Sequence, residues 1–235
     1  MYQIADMIFN IKPHYKYFKK NCFEYYVSND LNSIYTIECC NFDLKEEYIG
    51  VDHSDAYLEF IAVSRKLAEW LPLHGAFVLH SACFDVCGEG VVFAAHSGTG
   101  KTTHMLLWQK LLGDKMTIVN GDKPIVRFFE DEPNIPYAYG TPWNGKERLG
   151  SNMRTPVKHI CFIERSETNY VEKMEPKEII DLIFNQVYMP KDPMAVVNTM
   201  QLINRFINCC SIWKIHCNMD ISAAETAYNT IFGGE

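Results

Sequence analysis

The chain has 235 residues, of which 48% are hydrophobic and 22% charged, and its formal net charge is −7. That size and composition support a substantial core in one large domain or in a domain with a smaller added layer, and the negative charge argues against nucleic acid or an anionic membrane as the main partner. There is no run of about 18 apolar residues, and the N-terminal MYQIADMIFNIK carries an acid where a secretion signal needs an apolar stretch, so a cytoplasmic protein is expected.

From Tyr2 to about Val51, short alternating pieces such as CFEYYVS and SIYTIEC are separated by Ser, Asn and Asp, a pattern that predicts strands of an antiparallel layer. Between Asp52 and Leu71 the apolar residues Ala56, Leu58, Phe60, Ile61, Val63, Leu67, Ala68 and Trp70 recur at helical spacing. Asp52, Ser54 or Asp55 is available to cap that helix, and Pro72 stops it. Residues 1–72 therefore read as a β-rich layer plus a helix, packed on a core formed by 73–235.

The core begins with LHGAFVLHSACFDVCGEGVVFAA, two apolar runs separated by Cys87-Gly88-Glu89-Gly90, the signal of a hairpin. A helix is expected over Lys101–Leu112, ended by Gly113. MTIVNGDKPIVRF predicts a strand, a break at Asn120-Gly121, an acid at Asp122 and a second strand after Pro124. YAYGTPWNGKERLG reads as a strand entering a loop and PVKHICFI as a further strand. Helical periodicity covers Pro176–Tyr188 and Pro193–Asn208, SIWKIHC makes a last strand, and Ile221–Phe232 a last helix with Asp220 as its cap.

Nine cysteines include two adjacent pairs, Cys39-Cys40 and Cys209-Cys210, and no C-x-x-C. That fits neither a disulfide framework nor a zinc site, so reduced thiols, mostly in the core, are expected.

Chemistry concentrates in Val91–Thr103, VVFAAHSGTGKTT, where an apolar run ends in small residues and then in Lys-Thr-Thr. A buried strand, a loop that cradles phosphate and the first turn of a helix give this pattern. Gly98 and Gly100 let the backbone turn and present N–H groups to phosphate oxygens, while the helix adds its positive end. Ser97, Gly98, Thr99, Gly100, Lys101, Thr102 and Thr103 are the candidate phosphate-binding set. Lys101 is placed for the terminal phosphates and Thr102 for an accompanying Mg²⁺, whereas Thr103 reads equally as a ligand or as a hydroxyl that closes the helix start. The glycine that opens the usual phosphate-loop pattern is here Ala95, which is tolerable where φ is negative.

Three segments together resemble the HPr kinase/phosphorylase group and the ATP-dependent phosphoenolpyruvate carboxykinases, whose nucleotide domains share one fold. SGTGKTT stands as in the carboxykinase loop; LHSACFDVCGEG is similar to a stretch of the HPr kinases, with the same interval from His80 to Ala95; and IVNGDK sits where those families carry paired aspartates. The resemblance covers about His80–Arg127. It implies an α/β fold with a carboxykinase-like nucleotide-binding core, a mixed twisted sheet with flanking helices, and it implies ATP and Mg²⁺ as cofactors. Gly121 takes the place of the first aspartate and leaves Asp122 alone. GTPWNGK is similar to a bacterial branch of HPr kinase-like proteins, which suggests a substrate of its own. The chain is too short for a carboxykinase, so decarboxylation is not expected.

The resemblance implies a kinase acting on a hydroxyl, on Ser or Thr of a peptide or small protein, with a small-molecule acceptor or a decayed nucleotide-binding regulator as the other readings. Lys101, Asp122 and His80 are its catalytic candidates, with Asp122 the better general base and His80 orienting the acceptor or responding to phosphate charge, and Thr102 and Asp122 are its metal ligands, so that Asp122 serves both as ligand and as base. His80 otherwise reads as a satisfied core group, and Asp85 reads equally as part of the site or as a turn carboxylate. Basic residues at Lys146, Arg148, Arg154, Lys158 and Arg165 outnumber Glu147 and Glu164, which describes either a solvated face or a rim attracting an acidic ligand. Lys146 and Arg148 lie closest to the GTPWNG loop, where Trp143 is read as a base-stacking group or as a loop anchor. No motif names the acceptor, and a homo-oligomer stays open.

Overall fold

The computed structural model describes residues 1–28, 31–47, 53–96 and 98–233. It opens with strand β1 (Tyr2–Ile4), strand β2 (Met7–Lys12), helix α1 (Lys16–Asn21), strand β3 (Tyr35–Glu38), helix α2 (Asn41–Glu46) and helix α3 (Asp55–Trp70). The core follows with β4 (Ala76–Val78), β5 (Ala82–Val86), β6 (Glu89–Ala94), α4 (Lys101–Leu112), β7 (Met116–Asn120), β8 (Ile125–Arg127), β9 (Tyr137–Tyr139) and β10 (Arg154–Arg165). It closes with β11 (Tyr170–Met174), α5 (Ile180–Phe184), α6 (Pro193–Cys209), β12 (Ser211–Cys217) and α7 (Ile221–Phe232).

The first layer departs from the antiparallel expectation. CFEYYVS is not a strand: Phe23–Tyr25 form a tight 3-10 turn, after which a bridge from Tyr26 to Tyr2 and a bond from Val27 N to Met1 O (3.1 Å) join it to the sheet. SIYTIEC does hold a strand, β3, which lies parallel to β2, while β1 is antiparallel to β2, and three helices accompany them. Alternation in MIFNIK, with Met7, Phe9 and Ile11 buried, is the period-2 signal that identifies β2. Ser54 caps α3, its hydroxyl accepting from the Tyr57 N–H, while Asp52 lies outside the described residues.

Phe9, Phe18, Phe60, Val63 and Leu67 of this layer share one apolar cluster with Val78, Ile125, Tyr139 and Trp143 of the core. The β1–β2 turn is fastened as well. Ala5 and Asp6 both have positive φ, as a two-residue hairpin requires, and Asp6 accepts from Tyr139 (2.6 Å) and Arg154 (2.8 Å).

The second sheet is mixed and has nine strands, in the order β4-β8-β9-β10-β6-β5-β7, with β12 beside β10 and β11 beside β12. β6, β10 and β12 run parallel to one another, whereas β5 is antiparallel to both β6 and β7. Helices cover both faces, so these strands are apolar on both sides. Along β6, Val91 and Phe93 join Met105, Trp108 and Ala224 of α4 and α7, while Val92 and Ala94 join Ile203 and Phe206 of α6. The periodicity over Pro176–Tyr188 yields only a 3-10 turn and the five residues of α5. Asp220 stands at the N-cap of α7 without a side-chain bond to it. All nine cysteines are free thiols. Among the described residues no helix is long and apolar enough to cross a membrane.

Candidate functional site

The turn between β6 and α4 is built from local sequence. Gly98 and Gly100 adopt φ of 78° and 122°, the region that only glycine enters without strain. Ala95 is not among the positive-φ residues, and its methyl group is buried with Phe93 and Met105, which is why alanine is accepted there. Lys101 opens the helix and is itself buried; its Nζ donates to Ala95 O at 2.8 Å. Burial lowers the affinity of that ammonium for its proton, and the charge of Asp122 opposes the effect.

Arg165, at the end of β10, donates from Nε to Thr99 O (3.1 Å) and from its terminal nitrogen to Gly98 O. A trans peptide carries its C=O and the following N–H in opposite directions. Holding Thr99 O toward Arg165 therefore directs the Gly100 N–H to the other side of the turn. His104 N donates to Gly100 O (2.9 Å) and closes the first helical turn, in which Thr102 is half-buried and Thr103 exposed. Gly98, Thr99, Gly100, Lys101, Thr102 and Thr103 thus form one contiguous turn; Ser97 lies outside the described residues.

The acid is positioned by long-range contacts. Asn120, fully buried at the end of β7, accepts from the backbone N–H of Asp122 (2.9 Å) and of Lys123 (2.7 Å). Its amide nitrogen donates to Thr141 O (3.2 Å) and Oγ1 (3.0 Å), and Thr141 Oγ1 in turn donates to Lys123 O (2.8 Å). Such an Asx turn fixes the backbone by satisfying it locally. Asp122 projects from it with Oδ1 3.2 Å from His80 Nε2 and Oδ2 3.8 Å from Lys123 Nζ. Burial pushes the Asp122 carboxyl up, but the His80 hydrogen bond and the charges of Lys123 and Lys101 outweigh it and hold the group below the ordinary carboxylate range.

Gln186 ties the two halves together. His80 N donates to its backbone carbonyl (2.6 Å), and its buried side-chain amide, oriented by the acceptors around it, donates to His80 O (3.0 Å) and Ala95 O (3.1 Å). Nothing in the sequence points to Gln186, and Thr141 carries no signal beyond its place in GTPWNGK, because the roles of both depend on groups distant in the chain. Asn120 carried a faint signal as the Asn of an Asn-Gly break.

The GTPWNGK loop closes over the acid. Gly121 N donates to Leu149 O (2.8 Å), and a Cβ at Gly121 would stand 3.1 Å from Asn144 O and 3.2 Å from Leu149 O. The space where a first aspartate would begin is thus lined by the loop backbone. Gly145 abuts Asp122, and Lys146 and Arg148 are exposed on the same loop. Trp143 is not available for stacking on a base: it is 7% exposed, its Nε1 donates to Phe60 O (2.8 Å), and its ring packs on Phe60. It anchors the loop to the first layer.

Asp85 is a turn carboxylate, accepting from Gly88 N (2.9 Å) and Thr155 Oγ1 (2.6 Å). The basic stretch does not form one rim. Arg154 is spent on Asp6 and Tyr139, Lys158 is exposed on β10, and Arg165 holds the loop.

Among the described residues no three His, Cys, Asp or Glu side chains converge to cage a metal. Mg²⁺ seldom uses such cages; it takes one or two carboxylates with phosphate oxygens and retained waters. An Asp122 held ionised, with Thr102 at the helix start, fits that donor set.

No family model and no curated protein matches this sequence. Among solved structures the chain is similar to the HPr(Ser) kinase/phosphatase from Coxiella burnetii, with a TM-score of 0.36 and 9% identity over 66% of this chain and 97% of that one.

Proposed function

We propose that the protein binds a nucleoside triphosphate, ATP with Mg²⁺, and transfers its γ-phosphate to a hydroxyl, on Ser or Thr of a peptide or small protein. The observation that carries this reading is the link through Gln186, whose amide donates both to Ala95 O, the acceptor of Lys101 Nζ, and to His80 O, so that the glycine turn and the His80–Asp122 pair are tied together from separate segments. Phosphoryl transfer asks for positioning, for neutralisation of charge on the moving group and for a proton acceptor at the attacking hydroxyl. Backbone amides and Lys101, leaving Ala95 O for the β- and γ-phosphates, supply the first two. Mg²⁺, held by Asp122 and Thr102 with phosphate oxygens, would supply further charge neutralisation.

The new bond joins the acceptor oxygen to Pγ, the bond from Pγ to the β,γ-bridging oxygen breaks, and the proton of the hydroxyl passes to the His80–Asp122 pair. With the first aspartate replaced by Gly121, that pairing leaves the imidazole for the proton while the carboxylate orients it and faces the metal. The test is phosphate transfer from γ-labelled ATP to Ser- and Thr-containing peptides and small carrier proteins, with His80→Gln and Asp122→Asn beside the wild type. Transfer by the wild type that both variants lose by about 10²-fold or more supports the reading; ATP binding with no turnover under any acceptor makes the protein a nucleotide-binding regulator.

A further inference from the structure

The first layer carries a groove of about 620 Å³ that the phosphotransfer roles leave unused, since none of its residues belongs to the glycine turn or to the Asn120–Lys123 turn. It lies at the ends of the parallel strands β2 and β3, where Lys12 and Glu38 stand, against Lys19 of α1 and against Phe23 and Tyr26 in and just after the 3-10 turn. Its charge runs against that of the whole molecule. Residues 1–28 hold four lysines and two acids in a chain of net −7. Asp6 is spent on Tyr139 and Arg154 at the other end of β2, and Glu38 meets Lys12 at 3.6 Å. Lys16, Lys19 and Lys20 are exposed, and among the described residues no carboxylate pairs with them. Their spacing of three and four puts them on one face of α1, away from the buried Phe18. Like charges at that spacing oppose a helix, and Lys16 in the first turn opposes its dipole as well. An anionic ligand would relieve both.

The other wall is aromatic. Phe23 is 77% exposed and Tyr26 46% exposed, large apolar side chains left in water side by side with the lysines. Tyr26 is held in place, its ring edge-on to Tyr2 with centroids 5.7 Å apart. His14, also in the lining, is anchored from behind by Glu59, a carboxylate buried in α3. Glu59 Oε1 accepts from His14 N (2.7 Å) and faces its Nδ1 (2.9 Å), and Oε2 accepts from Tyr15 N (3.1 Å). With Nδ1–H given to Glu59, Nε2 is an acceptor for a peptide N–H in the neutral ring and a donor to a carboxylate in the charged one.

We infer that this groove binds an acidic peptide segment, its carboxylates at the lysine face of α1 and an aromatic or aliphatic side chain against Phe23 and Tyr26. Charge complementarity selects that partner. Screening confines the lysines' attraction to about 10 Å, so a short segment with a few carboxylates meets only them. A longer polyanion, a nucleic acid or an anionic membrane, also meets the acids that give the rest of the chain its negative charge. Apolar anchoring beside a charged rim is the usual division of labour in peptide recognition: the anchor supplies affinity and the charges supply selection.

The experiment pans a displayed library of short random peptides on the wild type, then measures the recovered sequences as labelled synthetic peptides by fluorescence anisotropy. Wild type is compared with Lys19→Glu, Phe23→Ser and, as a control on an exposed aromatic outside the groove, Phe42→Ser. The expected peptides are rich in Asp and Glu beside an aromatic or aliphatic residue. Phe23→Ser should weaken them at least about tenfold and Lys19→Glu at least about fivefold, with no change in Phe42→Ser, and binding should fall as salt rises from about 50 to about 300 mM. All three substitutions are at exposed positions, and urea midpoints verify that the variants fold. No enrichment, enrichment of basic or uncharged peptides, or affinity that survives both groove variants overturns the inference. A single-stranded oligonucleotide that binds more tightly than every recovered peptide, and is lost in Lys19→Glu, overturns the choice of a peptide. Phosphate transfer is not the readout, so each of these results leaves the phosphotransfer reading to its own test.

Discussion

The two halves of the candidate site differ in how much of their shape comes from neighbouring residues. The turn from Ala95 to Thr103 takes its course chiefly from neighbouring residues, two glycines at positive φ, a helix beginning at Lys101 and a lysine folded back on a carbonyl six residues earlier, and Arg165 and Gln186 reach it from far along the chain at the carbonyls of Gly98, Thr99 and Ala95. The turn from Asn120 to Lys123 takes its shape from Thr141, Leu149 and Ser81, up to 41 residues away in the chain (122 − 81). A locally built half tolerates change elsewhere and loses function when its own side chains change; a half built by remote contacts loses stability first.

That contrast can be broken most sharply at Lys101. Lys101→Met should lower phosphate transfer by about 10³-fold, the scale of removing a charged group that meets developing charge. Its denaturation midpoint should stay at or above that of wild type, since a buried ammonium is removed with only one carbonyl bond. Paired steady-state kinetics and chemical denaturation check both halves, and a large drop in stability would refute the local character of the turn.

Gly140 probes the other half. A Cβ there would overlap Ser151 O and come within 2.7 Å of Val119 O, both backbone atoms that cannot swing aside. Gly140→Ala should cost about 3 kcal/mol, visible as a lower urea midpoint with an unchanged slope. Asn120→Ala comes next, at about 2 kcal/mol, because it leaves the buried Thr141 carbonyl and two backbone N–H groups without their partner. Its turnover should fall with its stability, unlike that of the Lys101 variant. Gly121→Asp should cost only about 1 kcal/mol, the loop backbone giving way by a few tenths of an ångström; a cost above about 3 kcal/mol would mean that the GTPWNGK loop cannot move.

The smallest effect belongs to the first layer and serves as a control far from both turns. Asp43 is raised by burial, but the Cys40 backbone N–H and the Lys66 ammonium prevail and bring its carboxyl down to about 2. A folded-state value below the ordinary 3.8 means that Asp43 stabilises the protein fully above that value and that the contribution is lost as pH falls toward 2. Between about pH 5 and pH 2 the wild type should therefore lose more stability than Asp43→Asn, measured by urea midpoints, with no counterpart in ATP affinity at neutral pH.

The sequence by itself determined the local turns and the buried strands. Glycine at two positions, lysine next to two threonines and an unbroken apolar run are short-range facts, and they predict β6, α4, β7 and β12 with nearly correct bounds and the glycine turn between β6 and α4. Only the tertiary structure decided what depends on distant partners. It turned Trp143 from a stacking candidate into an anchor on Phe60, committed Asp85 to Gly88 and Thr155, dispersed the basic stretch, and made CFEYYVS a 3-10 turn on the edge of a partly parallel layer. It also recruited Gln186, Thr141 and Arg165. A hydrogen bond between side chains far apart in the chain leaves no period and no spacing in the sequence, because the partner's direction is fixed by the packing of the sheet and not by the residues beside it.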